Sequence, residues 1–278
     1  MTNNKPFVVK DWCDDFVHCW KYYPPPARAS LSDIKFIESK IKEEILKKGR
    51  ENVKVLVLGS TPEYRNLCGE LEVHCYCFDF SEYNYQYLSQ EVKHKPKETF
   101  ILGNWLDVVP EGKFDIVLGD VVLNLIFKEE YPKMLSMVSK ILEKEGYFIP
   151  RTFVRGKDEK WAGEKAVEEY RKDGSKTPVY TWLGRNLYMS AFDYEKEMLT
   201  MNKNWLVIVD LQNKGLLSKK EVDELSKLND KGRDTYFHIP VKEEFDAKLS
   251  KFFKIKSIFY GTEPYLKDKF PLHVLMRK

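Results

Sequence analysis

Residues 55–63, VLVLGSTPE, place a carboxylate in a turn that follows an apolar run. The run of Val and Leu is typical of a strand buried on both faces, and Thr61, Pro62 and Glu63 are residue types that begin a helix. A strand that turns directly into a helix offers backbone amides to a nucleotide-like ligand. Here Pro62 lacks an amide donor and Glu63 repels phosphate. The turn therefore favours a ligand with positive groups and no phosphate.

Asp79 is the second residue whose type and position indicate a chemical role. It follows another apolar run, residues 73–78, and stands 20 residues beyond Gly59. This separation lets a carboxylate reach the ribose hydroxyls of a nucleoside that lies over the first turn, although aspartates at strand ends also serve as ordinary turn residues. S-adenosylmethionine combines a ribose with an ammonium and a sulfonium and has no phosphate. It is the predicted cofactor.

Two later loops carry further candidates at the same predicted edge of the sheet. Asn104 and Trp105 follow the third apolar run, and Gly119 and Asp120 follow the fourth. The ring of Trp105 is suited to lie against adenine, with the amide of Asn104 at the edge of the base. Alternatively, Trp105 is an anchor of the core. Four loops at one edge make a joint site a stronger prediction than any single residue does.

Apolar runs and helical patterns alternate over residues 30–150. This alternation predicts a parallel sheet with helices on both faces. The first helix has Ser30 or Ser32 as its N-cap and ends at Gly49. The predicted strands are 53–58, 73–78, 99–102, 114–118 and a fifth that opens at 146–149, and the predicted helices are 62–68 (closed by Gly69), a stretch through Tyr87, and 131–142.

The C-terminal segment is predicted to add an antiparallel pair of strands. Residues 254–260 and 270–276 have strand patterns, and the gap between them is too short for a helical crossover. Residues 151–250 exceed the length of one crossover helix and are predicted to be a largely helical insertion. The predicted organisation is a lead-in and cofactor-binding core (1–150), a substrate-covering insertion (151–250), and a strand pair that completes the core sheet (251–278).

Composition argues against several classes of protein. The 278 residues carry a net charge of +3, and no apolar run approaches the roughly 20 residues of a membrane span. Without a signal-peptide pattern, a cytoplasmic protein is expected. The five cysteines form no regular framework, so Cys75 and Cys77 are predicted to be buried thiols and no metal is expected. Because the charges are interspersed, a nucleic-acid partner is not expected.

Four motifs and the terminal strands resemble the class I S-adenosylmethionine-dependent methyltransferases. VLVLGSTPE resembles their first motif in a variant with a Thr-Pro-Glu turn, CYCFDFS the second, FILGNWLDV the motif after strand three, and FDIVLGDVVLNLI the fourth. KIKSIFYG and FPLHVLMRK are similar to the last antiparallel strands of that family. The chain departs from the common pattern because Gly59 is the only glycine of the first motif and Asn104 stands where Asp is frequent.

The resemblance implies a Rossmann-like, doubly wound, mostly parallel seven-stranded sheet with an antiparallel last strand, and S-adenosylmethionine across strands one, two and four. It places residues 59–61 near the methionine part, Asp79 at the ribose, and Asp120 between the methionine end and the acceptor pocket. PPPARAS, residues 24–30, is similar to the lead-in that accompanies the Thr-Pro-Glu variant, which suggests Arg28 as the partner of the cofactor carboxylate. The implied cofactor-binding residues are Tyr22, Arg28, Gly59, Ser60, Thr61, Glu63, Asp79, Phe80, Asn104, Trp105, Gly119 and Asp120.

Methyl transfer from a sulfonium needs mainly alignment and exclusion of water, and a protonated acceptor also needs a base. The candidates for the base are Asp120, His238 and tyrosines of the insertion, although a lone histidine is more often structural. The insertion is aromatic and nearly neutral, with 19 Lys or Arg and 18 Asp or Glu, which favours a small organic acceptor over RNA. Two alternatives stay open: an RNA or protein methyltransferase, and a non-catalytic cofactor-binding partner subunit. The sequence leaves the oligomeric state open.

Overall fold

The structure is a computed structural model that describes residues 20, 25–172, 179–226, 236–262 and 266–278. Its first half alternates helices and strands. The elements are α1 (Leu31–Lys48), β1 (Lys54–Leu58), α2 (Pro62–Glu70), β2 (His74–Asp79), α3 (Glu82–Leu88), β3 (Glu98–Leu102), β4 (Phe114–Asp120), α4 (Tyr131–Ile141) and β5 (Leu142–Arg151).

Helices dominate the segment that follows β5, and two strands close the chain. The elements are α5 (Gly163–Lys172), α6 (Val179–Ser190), β6 (Met198–Thr200), α7 (Met201–Asn213), α8 (Lys219–Ser226), β7 (Tyr236–His238), α9 (Lys242–Phe252), β8 (Phe253–Phe259) and β9 (Leu272–Arg277). The predicted largely helical insertion is confirmed, with one addition: β6 and β7 pair as a small antiparallel sheet.

The seven core strands form one sheet in the order β3-β2-β1-β4-β5-β9-β8. Strands β1 to β5 pair in parallel, and β9 is antiparallel to both of its neighbours, as predicted. The chain moves outward from β1 to β3 and then returns to place β4 on the other side of β1. A crevice opens at such a reversal, outside the carboxyl ends of β1 and β4.

The first helix shows how local sequence fixes an element. The hydroxyl of Ser30 accepts a hydrogen bond from the Asp33 amide at 3.2 Å, and the Asp33 carboxylate accepts one from the Ser30 amide at 2.9 Å. This reciprocal capping box starts α1, and Gly49 ends it with φ 82°. Ile37 and Ile41 are fully buried on the face that packs against the sheet, and each contributes about 1.5–3 kcal/mol of burial free energy.

The opposite face of the sheet is covered by α4 and α9. Phe245 and Leu249 of α9 belong to the same buried cluster as Tyr131 and Phe148. Helix α9 is therefore part of the main core, although it lies inside the range 151–250. Helices α5 to α8 have a buried cluster of their own, which includes Leu183, Leu187, Ile208 and Leu211. The segment with a separate core is thus shorter than the predicted insertion.

The predicted end of the second helix was wrong. Helix α2 passes through Gly69 and continues to Glu70. Gly69 has a packing role instead: a Cβ at this position would lie 1.8 Å from the carbonyl oxygen of His94. The residue is glycine because the backbone at His94 approaches the helix too closely for any side chain.

Replacing Gly69 with alanine should therefore lower the free energy of unfolding. An ordinary helical Gly→Ala change stabilises by roughly 0.5–1 kcal/mol; here we expect a loss of about 1–3 kcal/mol, because a backbone carbonyl must move. Gly156→Ala is the matched control, since its Cβ would make only a 3.6 Å contact with the Glu159 side chain. Denaturant unfolding of both variants tests this, and a Gly69→Ala protein as stable as the wild type would contradict the close approach.

Candidate functional site

The turn after β1 lies at the reversal of strand order. Gly59 has φ 86°, which glycine adopts without strain, and its amide donates to the Phe78 carbonyl at 2.8 Å. Pro62 occupies the first turn of α2, as predicted, and Thr61 is at the N-cap position. In the part of the chain described, the Thr61 side chain makes no capping hydrogen bond. The backbone turn, rather than a threonine cap, fixes the start of α2.

Asp79 ends β2 beside this turn and is buried. Its Oδ2 accepts a hydrogen bond from the Ser60 hydroxyl at 2.6 Å, and its Oδ1 accepts one from the Ser81 amide at 3.0 Å. Burial raises the pKa of Asp79, and these hydrogen bonds oppose the shift. The carboxylate joins two loops and keeps lone pairs for a ligand hydroxyl. Phe80 is half-buried next to it, and the predicted cofactor roles of both residues stay predictions.

Arg151, the last residue of β5, is fully buried and joins three segments of the chain. Its Nη1 donates to Asp120 Oδ1 at 2.5 Å, and its Nε lies 3.3 Å from Asp33 Oδ2. Its Nη2 donates to the carbonyls of Pro26 and Arg28. One guanidinium therefore fixes the end of β4, the start of α1 and the lead-in segment relative to one another.

Asp120 is 6% exposed. Burial raises the pKa of this carboxyl, and the ion pair with Arg151 lowers it. Burial is the larger of the two effects, so the pKa lies above its ordinary value, and the role of Asp120 as a base stays a prediction. Its position at the carboxyl end of β4, directly after the buried Gly119, is the one expected of a residue near the methionine end.

The backbone directly after Asp120 is strained. Val121 adopts φ 51° and ψ 16°, a left-handed conformation that costs a β-branched residue about 1–3 kcal/mol. Its amide donates to the Arg151 carbonyl at 2.8 Å. The sharp turn redirects the chain across the carboxyl edge of the sheet.

Asn124 attaches the insertion to this edge. The side chain is fully buried and donates from Nδ2 to the carbonyls of Phe153 at 2.8 Å and His238 at 2.7 Å. Its Oδ1 accepts from the Phe153 amide at 2.9 Å. Both ends of the segment between β5 and α9 are therefore held beside the carboxyl end of β4.

Glu63, in the first turn of α2, faces the lead-in segment. Its Oε1 lies 3.3 Å from Arg28 Nη1, and the two side chains are 19% and 30% exposed. Burial raises the pKa of Glu63 to about 7, and the nearby Asp120 adds to the shift, whereas Arg28 opposes it. Arg28 thus pairs with a residue of the turn; its predicted contact with a cofactor carboxylate stays a prediction. Tyr22 lies outside the described residues.

Trp105 is a buried residue beneath the β1 turn. Its Nε1 donates to the Phe78 carbonyl at 2.8 Å, and its ring edge lies 3.7 Å from where a Cβ of Gly59 would be. These contacts give it the role of a core anchor. Asn104 is exposed, and its Oδ1 accepts from the Leu106 amide at 2.9 Å, which orders the loop after β3. The adenine contacts predicted for both side chains stay predictions.

His238 is 2% exposed and is packed against α4. Its Nδ1 lies 2.8 Å from the hydroxyl of Tyr131, which also donates to the Leu123 carbonyl at 2.7 Å. Burial lowers the pKa of His238 to about 4, so the ring is neutral at pH 7 and is a weak base. These contacts favour a structural role over the predicted catalytic one.

The site leaves one buried hydroxyl open. Tyr64 Oη has no hydrogen-bond partner among the residues that the structure describes, whereas the Glu63 carboxylate is hydrogen-bonded to the Trp20 side chain and the Asp120 carboxylate to the Ala29 backbone. Buried polar atoms are rarely left unsatisfied in a native protein unless a ligand or water completes them. An open hydroxyl beside two carboxylates fits a ligand with hydrogen-bond donors and positive charge.

Sequence reasoning missed three residues of this site: Arg151, Asn124 and Tyr64. Arg151 and Asn124 had a usable signal, because each is a lone polar residue among apolar ones, in YFIPR and VVLNLI. Tyr64 follows the turn and had no distinguishing pattern.

Comparison of the chain with known sequences and solved structures gives information on its fold. No protein-family model matches the chain, and no curated protein matches it in sequence. The PH0226 protein from Pyrococcus horikoshii OT3 is 13% identical with a TM-score of 0.54, over 96% of this chain and 100% of that one. A putative Zn-dependent alcohol dehydrogenase from Rhodobacter sphaeroides is 16% identical with a TM-score of 0.51, over 86% and 89%. The fold is Rossmann-like, as predicted.

Methyltransferases recur among the similar structures. Magnesium protoporphyrin IX methyltransferase from Synechocystis PCC 6803, solved with bound SAH, is 12% identical with a TM-score of 0.47, over 88% of this chain and 84% of that one. Other matches are described as N- and O-methyltransferases. At these identities the similarity concerns the fold alone.

Two predictions about metals and thiols can be compared with the structure. Cys75 and Cys77 are fully buried free thiols, as predicted, and Cys77 Sγ donates to the Gly59 carbonyl at 3.1 Å. In the described ranges, no group of three or more His, Cys, Asp or Glu side chains is placed to hold a metal ion. Nor does any described helix combine the length and apolarity of a membrane span.

Arg151→Met should destabilise the protein by about 3–5 kcal/mol, because it leaves two buried carboxylates without their cation. The matched control is Arg50→Met, which removes an exposed ion pair with Glu72 and should change stability by less than about 1 kcal/mol. Denaturant unfolding of both variants checks the difference. Equal, small losses would contradict the role of Arg151 as the buried link between segments.

Proposed function

We propose that this protein is an S-adenosylmethionine-dependent methyltransferase that acts on a small organic acceptor by in-line methyl transfer. The proposal rests on the acidic lining of the crevice, where Glu63, Asp79 and Asp120 stand at the carboxyl ends of β1, β2 and β4. Three carboxylates repel a pyrophosphate and suit a ribose with a cationic amino-acid tail. The motifs of the sequence resemblance contain these same residues.

Each side of the crevice has a separate role in this proposal. The bound cofactor supplies an electrophilic methyl group on its sulfonium. Asp79, already fixed by Ser60 and Ser81, accepts hydrogen bonds from the ribose hydroxyls. The β1 turn borders the methionine part, and Asp120 keeps that end acidic. Holding the methyl donor rigidly is the main requirement of an in-line displacement.

The segment after β5 supports the proposed acceptor class. Asn124 holds it at the edge where β4 ends, which supports the proposed role of this segment as a cover of the crevice. One cluster of this segment is aromatic: Trp161 meets Phe192 edge-to-face at 5.4 Å, and Phe153 stacks at 4.6 Å on Phe270 from the loop before β9. A nearly neutral, aromatic cover suits a small organic molecule and excludes water from the reacting atoms.

The basicity of the candidate bases also bears on which kind of acceptor atom can react. Burial lowers the pKa of His238 to about 4, so this ring does not readily remove a proton from a neutral hydroxyl at pH 7. One oxygen of Asp120 is occupied by the guanidinium of Arg151. This favours an acceptor atom that is nucleophilic without prior deprotonation, such as a neutral amine or a carboxylate.

Binding of the cofactor product should depend on Asp79. We expect S-adenosylhomocysteine to bind more tightly than NAD and than its own 2′-deoxy analogue, because the carboxylate bonds to the ribose. Asp79→Asn should weaken S-adenosylhomocysteine at least about tenfold, the equivalent of one charge-assisted hydrogen bond, and should weaken the 2′-deoxy analogue less. Calorimetry measures all three ligands, with thermal melting to verify the fold. Tighter NAD binding, or equal losses for both nucleosides, would contradict the assignment.

The class of acceptor should be identifiable from the fraction of a cell extract that gains a methyl label. After incubation of the protein and methyl-labelled S-adenosylmethionine with an extract of the cells that make it, we expect the small-molecule fraction to gain at least about tenfold more label than with Asp79→Asn, whose cofactor binding is weakened. Label that is removed by ribonuclease or protease would instead support the RNA or protein alternative. No labelled fraction, despite cofactor binding, would support a non-catalytic partner subunit.

A further inference from the structure

Strand β3 is one of the two outer strands of the seven-stranded sheet. Its inner edge pairs in parallel with β2, and no strand in the described part of the chain pairs with its outer edge. The Lys97 carbonyl accepts a hydrogen bond from β2 at 2.9 Å, and the Gly103 amide donates one to β2 at 2.9 Å. Because backbone directions alternate along a strand, the amides and carbonyls of Glu98, Phe100 and Leu102 point outward.

The two outer strands differ in the features that prevent one sheet edge from pairing with another. Strand β8 has an irregular register and the exposed side chains of Lys254 and Lys256. Lysines and bulges of this kind disfavour the addition of a further strand. Residues 98–102, ETFIL, contain no lysine or proline and pair with β2 in a regular register. The one charge of β3, Glu98, is neutralised by Arg65 at 2.8 Å. The edge of β3 is therefore the one suited to pairing.

An exposed apolar patch lies where β3 ends. Leu102 is 57% exposed, Val108 37% and Val109 53%, and these are three of the eight exposed large apolar side chains among the described residues. The loop that carries them is ordered, because the Val108 amide donates to the Asn104 carbonyl at 2.9 Å. The side chain of Val108 also packs so closely on Gly103 that a Cβ there would lie 2.8 Å away. An ordered apolar patch loses little conformational entropy when a partner covers it.

The charges on either side of β3 fit a second copy of β3 that runs in the opposite direction. Residues 93–97 hold three lysines and no acid, whereas residues 103–112 hold two acids and no base. An antiparallel pair brings the basic segment of each copy to the acidic loop of the other, and a parallel pair would set like charges together. Lys93 and Asp107 stand at equal distances along the chain from Phe100. A two-fold axis at Phe100 therefore aligns each lysine with the aspartate of the other copy.

We propose that this protein forms a homodimer in which the β3 strands of two copies pair antiparallel and join the two sheets. The two-fold axis passes beside Phe100, so Glu98 of each copy lies opposite Leu102 of the other. The outward amides and carbonyls of these residues exchange hydrogen bonds across the interface. The apolar patch packs against the aliphatic stems of the lysines that precede β3 of the other copy. The inference does not depend on the proposed function, because the outer edge of β3 is separate from the crevice at β1 and β4.

The mass of the full chain in solution tests this interface. Sedimentation equilibrium should give twice the mass of one chain. Leu102→Asp should raise the dimer Kd at least about tenfold, because it buries an unpaired carboxylate in the interface and removes an apolar contact. Leu46→Asp is the matched control, since Leu46 is 87% exposed on α1; this change should leave the Kd within about twofold. A monomeric wild-type protein, or a dimer that Leu102→Asp leaves intact, would overturn the inference.

Charge reversal tests the direction of the pairing. Lys93→Asp and Asp107→Lys should each raise the dimer Kd at least about threefold at low salt, because each sets like charges together, and the double variant should recover the wild-type Kd. The ion pair of Asp107 with Lys133, at 3.1 Å, is exposed on both sides, so its loss should have little effect on the stability of the chain. A double variant as weak as the two single variants would contradict the antiparallel register.

Residue-resolved hydrogen exchange gives a test that needs no variant. The amides of Glu98, Phe100 and Leu102 should be protected in the dimer and should exchange at least about tenfold faster after dilution below the Kd. The amides of Thr99 and Ile101 point toward β2 and serve as the internal control, because they should stay protected at both concentrations. Protection of the outward amides in a monomer would overturn the inference and assign the edge of β3 to another segment of the same chain.

Discussion

The arrangement of the site depends on the buried guanidinium of Arg151. It is fully inaccessible, pairs with Asp120 and Asp33, and donates to two carbonyls of the lead-in. A buried charge is costly unless it is paired, so these partners together stabilise the native position of the guanidinium. The guanidinium also lies 4.5 Å from the centre of the Phe270 ring. A single cation therefore sets the relative positions of β4, α1, the lead-in and the loop before β9.

This constraint explains the electrostatic character of the crevice. One oxygen of Asp120 is occupied by Arg151, and the lead-in held by Arg151 brings Arg28 to Glu63. Burial keeps the local dielectric low, so these charges affect one another strongly. The crevice is thus acidic at its centre, with the partly exposed cation of Arg28 at its rim. Such a surface selects among ligands by their charge more strongly than by their shape.

A strained backbone conformation and a buried hydrogen-bonding side chain lie close together where β4 ends. Val121 is left-handed, and Asn124, three residues later, is fully buried with its amide in three hydrogen bonds to the insertion. The three hydrogen bonds of Asn124 compensate the burial of its amide and help to hold the strained turn in place. The result is that the sheet and the segment after β5 share one rigid junction at the crevice. An acceptor bound under that segment would be positioned relative to the sheet itself.

Local patterns in the sequence were sufficient for the elements and for much of the sheet. The apolar runs predicted all seven core strands, and the short gap before β9 predicted its antiparallel direction, because strand burial and crossover length are properties of adjacent residues. The sequence by itself also placed Asp79 and Asp120 at strand ends and Glu63 in the turn that begins the next helix. Only the tertiary structure decided what these carboxylates do: Asp79 joins Ser60 to Ser81, Asp120 is held by Arg151, and Glu63 meets Arg28. The tertiary structure also shows that Trp105 and His238 have core contacts, and that the backbone of His94 lies against Gly69. The physical reason is that charge pairing, burial and close backbone approach are set by distances between segments far apart in the chain, which no local pattern encodes.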